Sequence, residues 1–366
     1  MTTATEPEQD AASAEEERPK TPLQRLVGAQ AFQILGVLLI LIVLFSIAEP
    51  DAFLSVNNFR NVVVNVSILA IIGVGMTFII ITGGIDLSVG SVLVFSGVVA
   101  AKVMAALGGQ GVGVSIAGAL AACASGTLWG LFNGVVVARL KVPPLIVTLG
   151  TLGMALGAAQ ILTGGIDLRG APTVLTDTIG FGRLFGQIPY LSLIALLVVV
   201  VGAVILHRTR FGRYTYAVGS NDEAARRVGV KADRHLILVY TLAGFCAGLA
   251  GILNLAFFSS TTIAGQSNTA LNVIAGVVIG GTSLFGGIGT IAGTVIGLFI
   301  PAVLQNGFVI MGVQPFWQQV VVGAFLIAAV YVDQVRRAAA TRGARSRTSL
   351  FSRFSRPSGA RRKEAQ

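Results

Sequence analysis

The sequence predicts an all-α, polytopic integral membrane protein with about ten transmembrane helices and both termini in the cytoplasm. Three observations carry that reading. Of 366 residues, 54% are hydrophobic, and the mean hydropathy is +0.81, too apolar for an ordinary soluble domain. Of the 26 Lys and Arg and 16 Asp and Glu, all but twelve gather in the two tails and in one central stretch, so charge marks the water. Between them lie about ten apolar runs near the length that crosses a hydrocarbon core of roughly 30 Å.

Residues 1–28 form an acidic tail, with Glu6, Glu8, Asp10 and Glu15 to Glu17. It lacks the basic-then-apolar layout of a cleavable signal peptide and reads as a disordered cytoplasmic segment. The membrane domain spans residues 29–334. Its first five apolar runs extend from Phe32 to Ala48, Phe59 to Ile81, Ser88 to Leu107, Val112 to Ala138 and Pro144 to Leu162. The second five extend from Pro189 to Leu206, Leu236 to Phe258, Ala270 to Ile279, Gly289 to Leu304 and Phe316 to Val332. Basic residues precede the first run (Arg18, Lys20, Arg25) and follow the fourth (Arg139, Lys141), the sixth and the tenth. With ten crossings all four clusters fall on one side, which the positive-inside rule makes cytoplasmic. Residues 335–366 form a basic cytoplasmic tail. The net charge of +10 follows from these flanking segments and does not call for nucleic acid.

Glycine is abundant at helical spacing, as at Gly73 and Gly75, Gly126 and Gly130, Gly244, Gly248 and Gly251, and Gly276, Gly280 and Gly281. Small residues let helix backbones approach where lipid supplies no hydrophobic drive between helices. Some of these positions are also candidates for lining a pathway. The hexapeptide TGGIDL occurs at Thr82–Leu87 and again at Thr163–Leu168, on opposite membrane faces by the span count.

The segment TGGIDLSVGS, Thr82 to Ser91, breaks a helix with two glycines and restarts it with small polar residues. Two readings are open for it. Asp86 or Ser88 caps the next helix, or Asp86 sits at membrane depth and shapes a solute path, as intramembrane ionisable residues usually do. In LKVPPLIVTLGT, Leu140 to Thr151, the prolines mark the start of a helix, and Thr148 and Thr151 share one face that can meet a hydroxylated solute or bond its own backbone. Asp167 and Arg169 read as a solvated loop pair.

The central stretch His207–His235 is the one long charged interruption of the apolar interior. Ser220 and Glu223 have the spacing of a capping box, with Ser220 as N-cap. Arg226 and Arg227 suit the last turn of such a helix, and Gly229 suits the left-handed position beyond it. The expectation is a two-turn helix, Asp222 to Val228, whose apolar face is Ala224, Ala225 and Val228. It docks on a partner or lies against its own membrane domain. No P-loop, metal-ligand spacing or nucleophile elbow occurs, and the only histidines are His207 and His235, so no cofactor, metal site or catalytic residue is expected.

TGGIDLSVGS, LKVPPLIVTLGT, and the run TRFGRYTYAVGSNDEAARRVGVKADR with the following YTLAGFCAGLAGIL and IAGVVIGGTSLFGGIGTIAGTVIG together resemble the permease subunits of bacterial ATP-binding-cassette importers for ribose, xylose and related monosaccharides. The resemblance covers roughly Phe59 to Asp333. It implies a permease homodimer in the bacterial cytoplasmic membrane, two ATPase subunits below, a substrate-binding protein above, and alternating access driven by ATP. It also implies that Glu223, Ala224 and Ala225, followed by Arg226, Arg227 and Gly229, belong to a coupling helix. The same machinery carrying a nucleoside, a sugar-like signal molecule or a branched-chain amino acid is the neighbouring expectation. A gradient-driven carrier is the expectation from another class. The basic tail is expected in solvent or on an anionic lipid surface.

Overall fold

The computed structural model describes residues 30–264, 268–314, 316–317, 319–328, 330–331 and 334. The tails at 1–28 and 335–366, for which disorder and lipid contact are expected, lie outside the described residues. The described residues are mostly helical. Helix α1 (Gln30–Ala48) leads through a single turn at Pro50–Phe53 to α2 (Val56–Ile81), α3 (Val89–Leu107), α4 (Val112–Arg139) and α5 (Pro144–Thr163). The long connection at 164–189 contains the antiparallel strands β1 (Arg183–Leu184) and β2 (Ile188–Pro189). Then follow α6 (Tyr190–Arg208), α7 (Arg210–Ser220), α8 (Asp222–Arg227), α9 (Ala232–Phe258), α10 (Thr269–Ile279) and α11 (Ile291–Ile310), and α12 (Gln319–Ala328).

Among the described residues seven helices, α2 to α6, α9 and α11, are long and apolar enough to cross a membrane, and three shorter apolar helices lie at Ile34–Ala48, Thr269–Ile279 and Gln319–Ala328. Each of the ten apolar runs in the sequence thus holds one helix. The eighth is short for a reason visible in its flanks. Helix α10 covers about 16 Å at 1.5 Å per residue, and beyond it Gly281 turns the chain in the left-handed region (φ 94°) into the irregular stretch 282–290.

Local signals account for the helix boundaries. Ser55 caps α2 by accepting from the Asn58 amide at 3.2 Å, and Thr290 caps α11 by accepting from Gly293 at 3.0 Å. Pro144 opens α5, where its missing N–H is no loss. Helix α2 is the axis of the bundle, with Ile71, Met76, Phe78, Ile79, Ile80 and Ile81 fully buried. Its neighbour α9 packs on α4 through backbone. A methyl group on Gly126 would meet Gly248 Cα at 2.7 Å, and one on Gly130 would meet Gly244 Cα at 2.9 Å. The glycines at these positions set the α4–α9 distance, as close packing in lipid requires.

Candidate coupling and translocation site

The charged central stretch folds as two helices and a tight turn. Helix α7 continues through Ser220, so Ser220 is not the N-cap of the next helix. Asn221 leaves helical geometry (φ −163°, ψ 102°), and its Oδ1 accepts from the Ala224 amide at 2.9 Å. This corrects the capping box read from Ser220 and Glu223. Asparagine is an equally good cap, and the turn falls one residue later because Ser220 is still bonded within α7. Helix α8 ends at Arg227, Val228 is its C-cap, and Gly229 takes the expected left-handed conformation (φ 89°). The Gly229 amide donates to Arg226 O at 3.0 Å and Val230 to Ala225 O at 3.0 Å, which satisfies carbonyls at the helix end.

The three apolar side chains of α8 do not share a face. Ala225 is 4% exposed and packs with Val218 and Ala232, whereas Val228 is 80% exposed and Ala224 is also exposed. The outward surface is therefore Ala224 and Val228 beside the Glu223–Arg227 pair, where Arg227 Nη2 donates to Glu223 Oε1 at 2.5 Å. Arg226 turns the other way. Its guanidinium bonds Asp222 Oδ2 at 3.0 Å and Asp233 Oδ1 at 2.5 Å, and Lys141 Nζ reaches the same Asp233 oxygen at 2.6 Å. Asp233 first, and then Asp222, hold the Arg226 pKa above its ordinary value. The result is a clamp from α8 to the first turn of α9 and to the α4–α5 connection.

Helix α7 ties this surface to the membrane helices. The Tyr216 hydroxyl donates to the Gly289 carbonyl at 2.6 Å, the Gly287 amide donates to Ile81 O at 2.8 Å, and Gly219 lies so close to Ile81 O that a side chain there would collide with it. Thr215 and His235 Nε2 are 3.0 Å apart, and the His235 ring packs on Phe211 with centroids 4.6 Å apart. Thus α7 contacts the end of α2, the stretch between α10 and α11, and the start of α9.

The four residues selected as pathway candidates converge. Asp86, 2% exposed, accepts at Oδ1 from the Ser88 amide at 2.8 Å and the Ser88 hydroxyl at 2.6 Å. Asn133 Nδ2 donates to Ser88 Oγ at 3.0 Å, and Thr151 Oγ1 donates to Asn133 Oδ1 at 2.5 Å. Thr148 Oγ1 donates to the Ile85 carbonyl at 3.2 Å and also to Pro144 O at 3.0 Å. Ser88 makes no side-chain cap bond to α3, so its part in the capping expectation is replaced by this network. A Cβ on Gly84 would sit 2.6 Å from the Tyr240 hydroxyl. Tyr240 is eight positions into α9, about 12 Å from its start, which puts the break inside the bundle and on the same side as α8.

Asp167 and Arg169 form no ion pair among the described residues. Asp167 Oδ1 instead accepts from Thr261 Oγ1 at 3.1 Å and from the Ile263 amide at 2.9 Å, and Leu168 exchanges bonds with Thr261. It joins the connection after α5 to the segment after α9. Asp167 and Arg169 are both exposed, as expected of a solvated loop, but they are not paired with each other.

Sequence reasoning passed over Asn133, Lys141, Tyr216 and Asp233. Asn133 did carry a signal, an amide alone in the apolar run GLFNGVVV. Lys141 and Asp233 are 92 positions apart, and nothing in their neighbourhoods announces the pairing. Among the described residues no three His, Cys, Asp or Glu side chains gather as a metal site.

The chain is 38% identical to the ribose import permease of Escherichia coli (strain K12) over 304 residues, 82% of this chain and 92% of that one. It is 38% identical to the ribose import permease of Bacillus subtilis (strain 168) over 331 residues, 88% of this chain and 99% of that one. It is 34% identical to the D-allose transport system permease of Escherichia coli (strain K12), covering 82% of this chain and 90% of that protein. No solved structure matches it. Residues 58–330 match the model of the branched-chain amino acid transport system / permease component family, and this multi-pass membrane protein belongs to that family.

Proposed function

We propose that the chain is the membrane permease of an ATP-driven importer for a neutral monosaccharide of the ribose or xylose type, acting as a homodimer with separate ATPase subunits and an extracytoplasmic substrate-binding protein. It crosses the cytoplasmic membrane ten times with both termini inside, and α8 is the surface on which an ATPase subunit docks. The observation that carries this reading is the build of α8. Its outer face offers Ala224, Val228 and the exposed Glu223–Arg227 pair, suited to insertion into a groove. Its inner face is clamped through Arg226 and Asp233, so a push on α8 is passed to α9 and, through α7, to α2. The names of the sugar permeases that the chain resembles support a sugar over the amino acid in the family's description.

The test is uptake into proteoliposomes of ribose, xylose, allose and leucine by the permease with and without its ATPase and binding-protein partners. ATP-dependent uptake of a monosaccharide that requires both partners is the expected result. Uptake that follows an ion gradient without ATP overturns the importer reading, and ATP-dependent uptake of leucine alone overturns the sugar.

A further inference from the structure

A cavity of about 690 Å³ opens at the end of the bundle away from α8. Its position follows from the helices that line it. Asn254 lies 22 positions after Ala232, the start of α9, or about 33 Å along the helix. Asn65 lies in the first half of α2, whose other end, Ile81, touches Gly287 beside α7. Gln305 lies near the end of α11, and Asn268, Thr269 and Asn272 surround the first turn of α10. Gln319 of α12 completes the polar wall.

The chemistry of the lining is unusual for an apolar bundle. It holds six carboxamides and, among the described residues, no ionisable side chain, with Phe258 and Leu271 providing an aromatic and an aliphatic surface. Each carboxamide offers both donors and an acceptor, the complement of a hydroxyl, which also does both. Amide N–H groups can donate to an anion, but the lining carries no counter-charge, so a phosphate or carboxylate would lose more on desolvation than the amides return. The volume falls within the roughly 300–1,000 Å³ of small-molecule sites. Asn254 is itself buried and bonds Thr262 Oγ1 at 2.8 Å, so one wall of the cavity is held in place by the segment that follows α9.

We infer that this amide-lined cavity is the outward-side solute site, which receives a neutral polyhydroxylated molecule of monosaccharide size and excludes anionic ones. The inference rests on the import reading above and adds to it the place and the chemical basis of solute contact. It separates the solute site from the Asp86 network, which is closed on itself by hydrogen bonds and lines neither this cavity nor the smaller one beside Asp167.

The experiment uses the full transporter in cells. Asn65→Leu and Asn272→Leu, alone and together, keep side-chain size while removing the amides. With a panel of ribose, xylose, allose and galactose, the double variant is expected to lose about tenfold or more of sub-saturating uptake, the loss of one to two hydrogen bonds, while ATPase binding is retained. A phosphorylated sugar is expected not to compete. A second arm places single cysteines at 65, 272 and 305 in a background with Cys123 and Cys246 replaced. Their modification by a membrane-impermeant thiol reagent from outside, slowed by sugar together with the binding protein, is expected. Wild-type import of none of the sugars defeats the import reading itself. Import with unchanged kinetics in the double variant, or cysteines reached only by a lipid-soluble reagent, overturns the cavity assignment and leaves the import reading standing. If the leucine variants fail to insert, the cysteine arm decides alone.

Discussion

Tyr216 on α7 and Gly289 in the stretch before α11 are joined side chain to backbone, with the hydroxyl 2.6 Å from the carbonyl oxygen. That bond, with the Gly287–Ile81 bond beside it, links the segment that carries α8 to two membrane helices. Tyr216→Phe removes the donor and leaves the ring. The expected stability loss is small, about 1 kcal/mol. In the assembled transporter, ATP hydrolysis is expected to persist while uptake per ATP falls several-fold. Parallel measurement of phosphate release and uptake checks this, and an unchanged ratio removes the link from the coupling route.

Ala224 and Val228 face outward from α8, and neither is needed to hold it. Ala224→Trp is therefore expected to leave the protein inserted with an unchanged melting temperature, and to abolish co-purification of the ATPase subunit and uptake together. Gly229→Val acts differently. The left-handed conformation at 229 disfavours a side chain by roughly 1–2 kcal/mol, more for a branched one, so the end of α8 is expected to unwind. Full uptake by the Ala224→Trp protein counts against α8 as the docking surface.

Thr151→Val keeps the volume and removes the hydroxyl that donates to Asn133 Oδ1. A buried acceptor left without its donor costs about 1–3 kcal/mol. The expected result is a lower unfolding midpoint in detergent, restored by Thr151→Ser. A midpoint equal to wild type in the valine protein shows that the Asp86 network is not a stabilising core.

Gly130→Ala places a methyl against Gly244 Cα at 2.9 Å, and overpacking of that kind costs about 1–3 kcal/mol. Gly36→Ala, where nothing lies within 4 Å, is expected to be neutral or to gain up to about 1 kcal/mol from helix propensity. Thermal unfolding of the two variants side by side gives the comparison, and equal midpoints would remove close α4–α9 packing as the role of Gly130.

The apolar runs, the basic flanks and the glycine spacing determined, from sequence alone, a multi-helix membrane protein and where its helices lie. The reason is that a bilayer admits few solutions for a polar backbone, so hydropathy and length nearly dictate the helix list. The end of α8 was legible too, because Gly229 is a local requirement of one backbone conformation. Its beginning was not. Ser220 and Asn221 are both good caps, and the choice fell to α7, whose packing keeps Ser220 helical. Only the tertiary structure decided that Ala225 turns inward and Val228 outward, that Lys141 and Arg226 meet on Asp233, that Ser88 and Thr151 meet through Asn133 beside Asp86, and that Thr148 reaches the Ile85 carbonyl. It alone gathered six scattered amides around one cavity. Most of those contacts join residues from different helices, such as Lys141 and Asp233, 92 positions apart, and their partners are chosen by helix packing, which no short window of sequence contains.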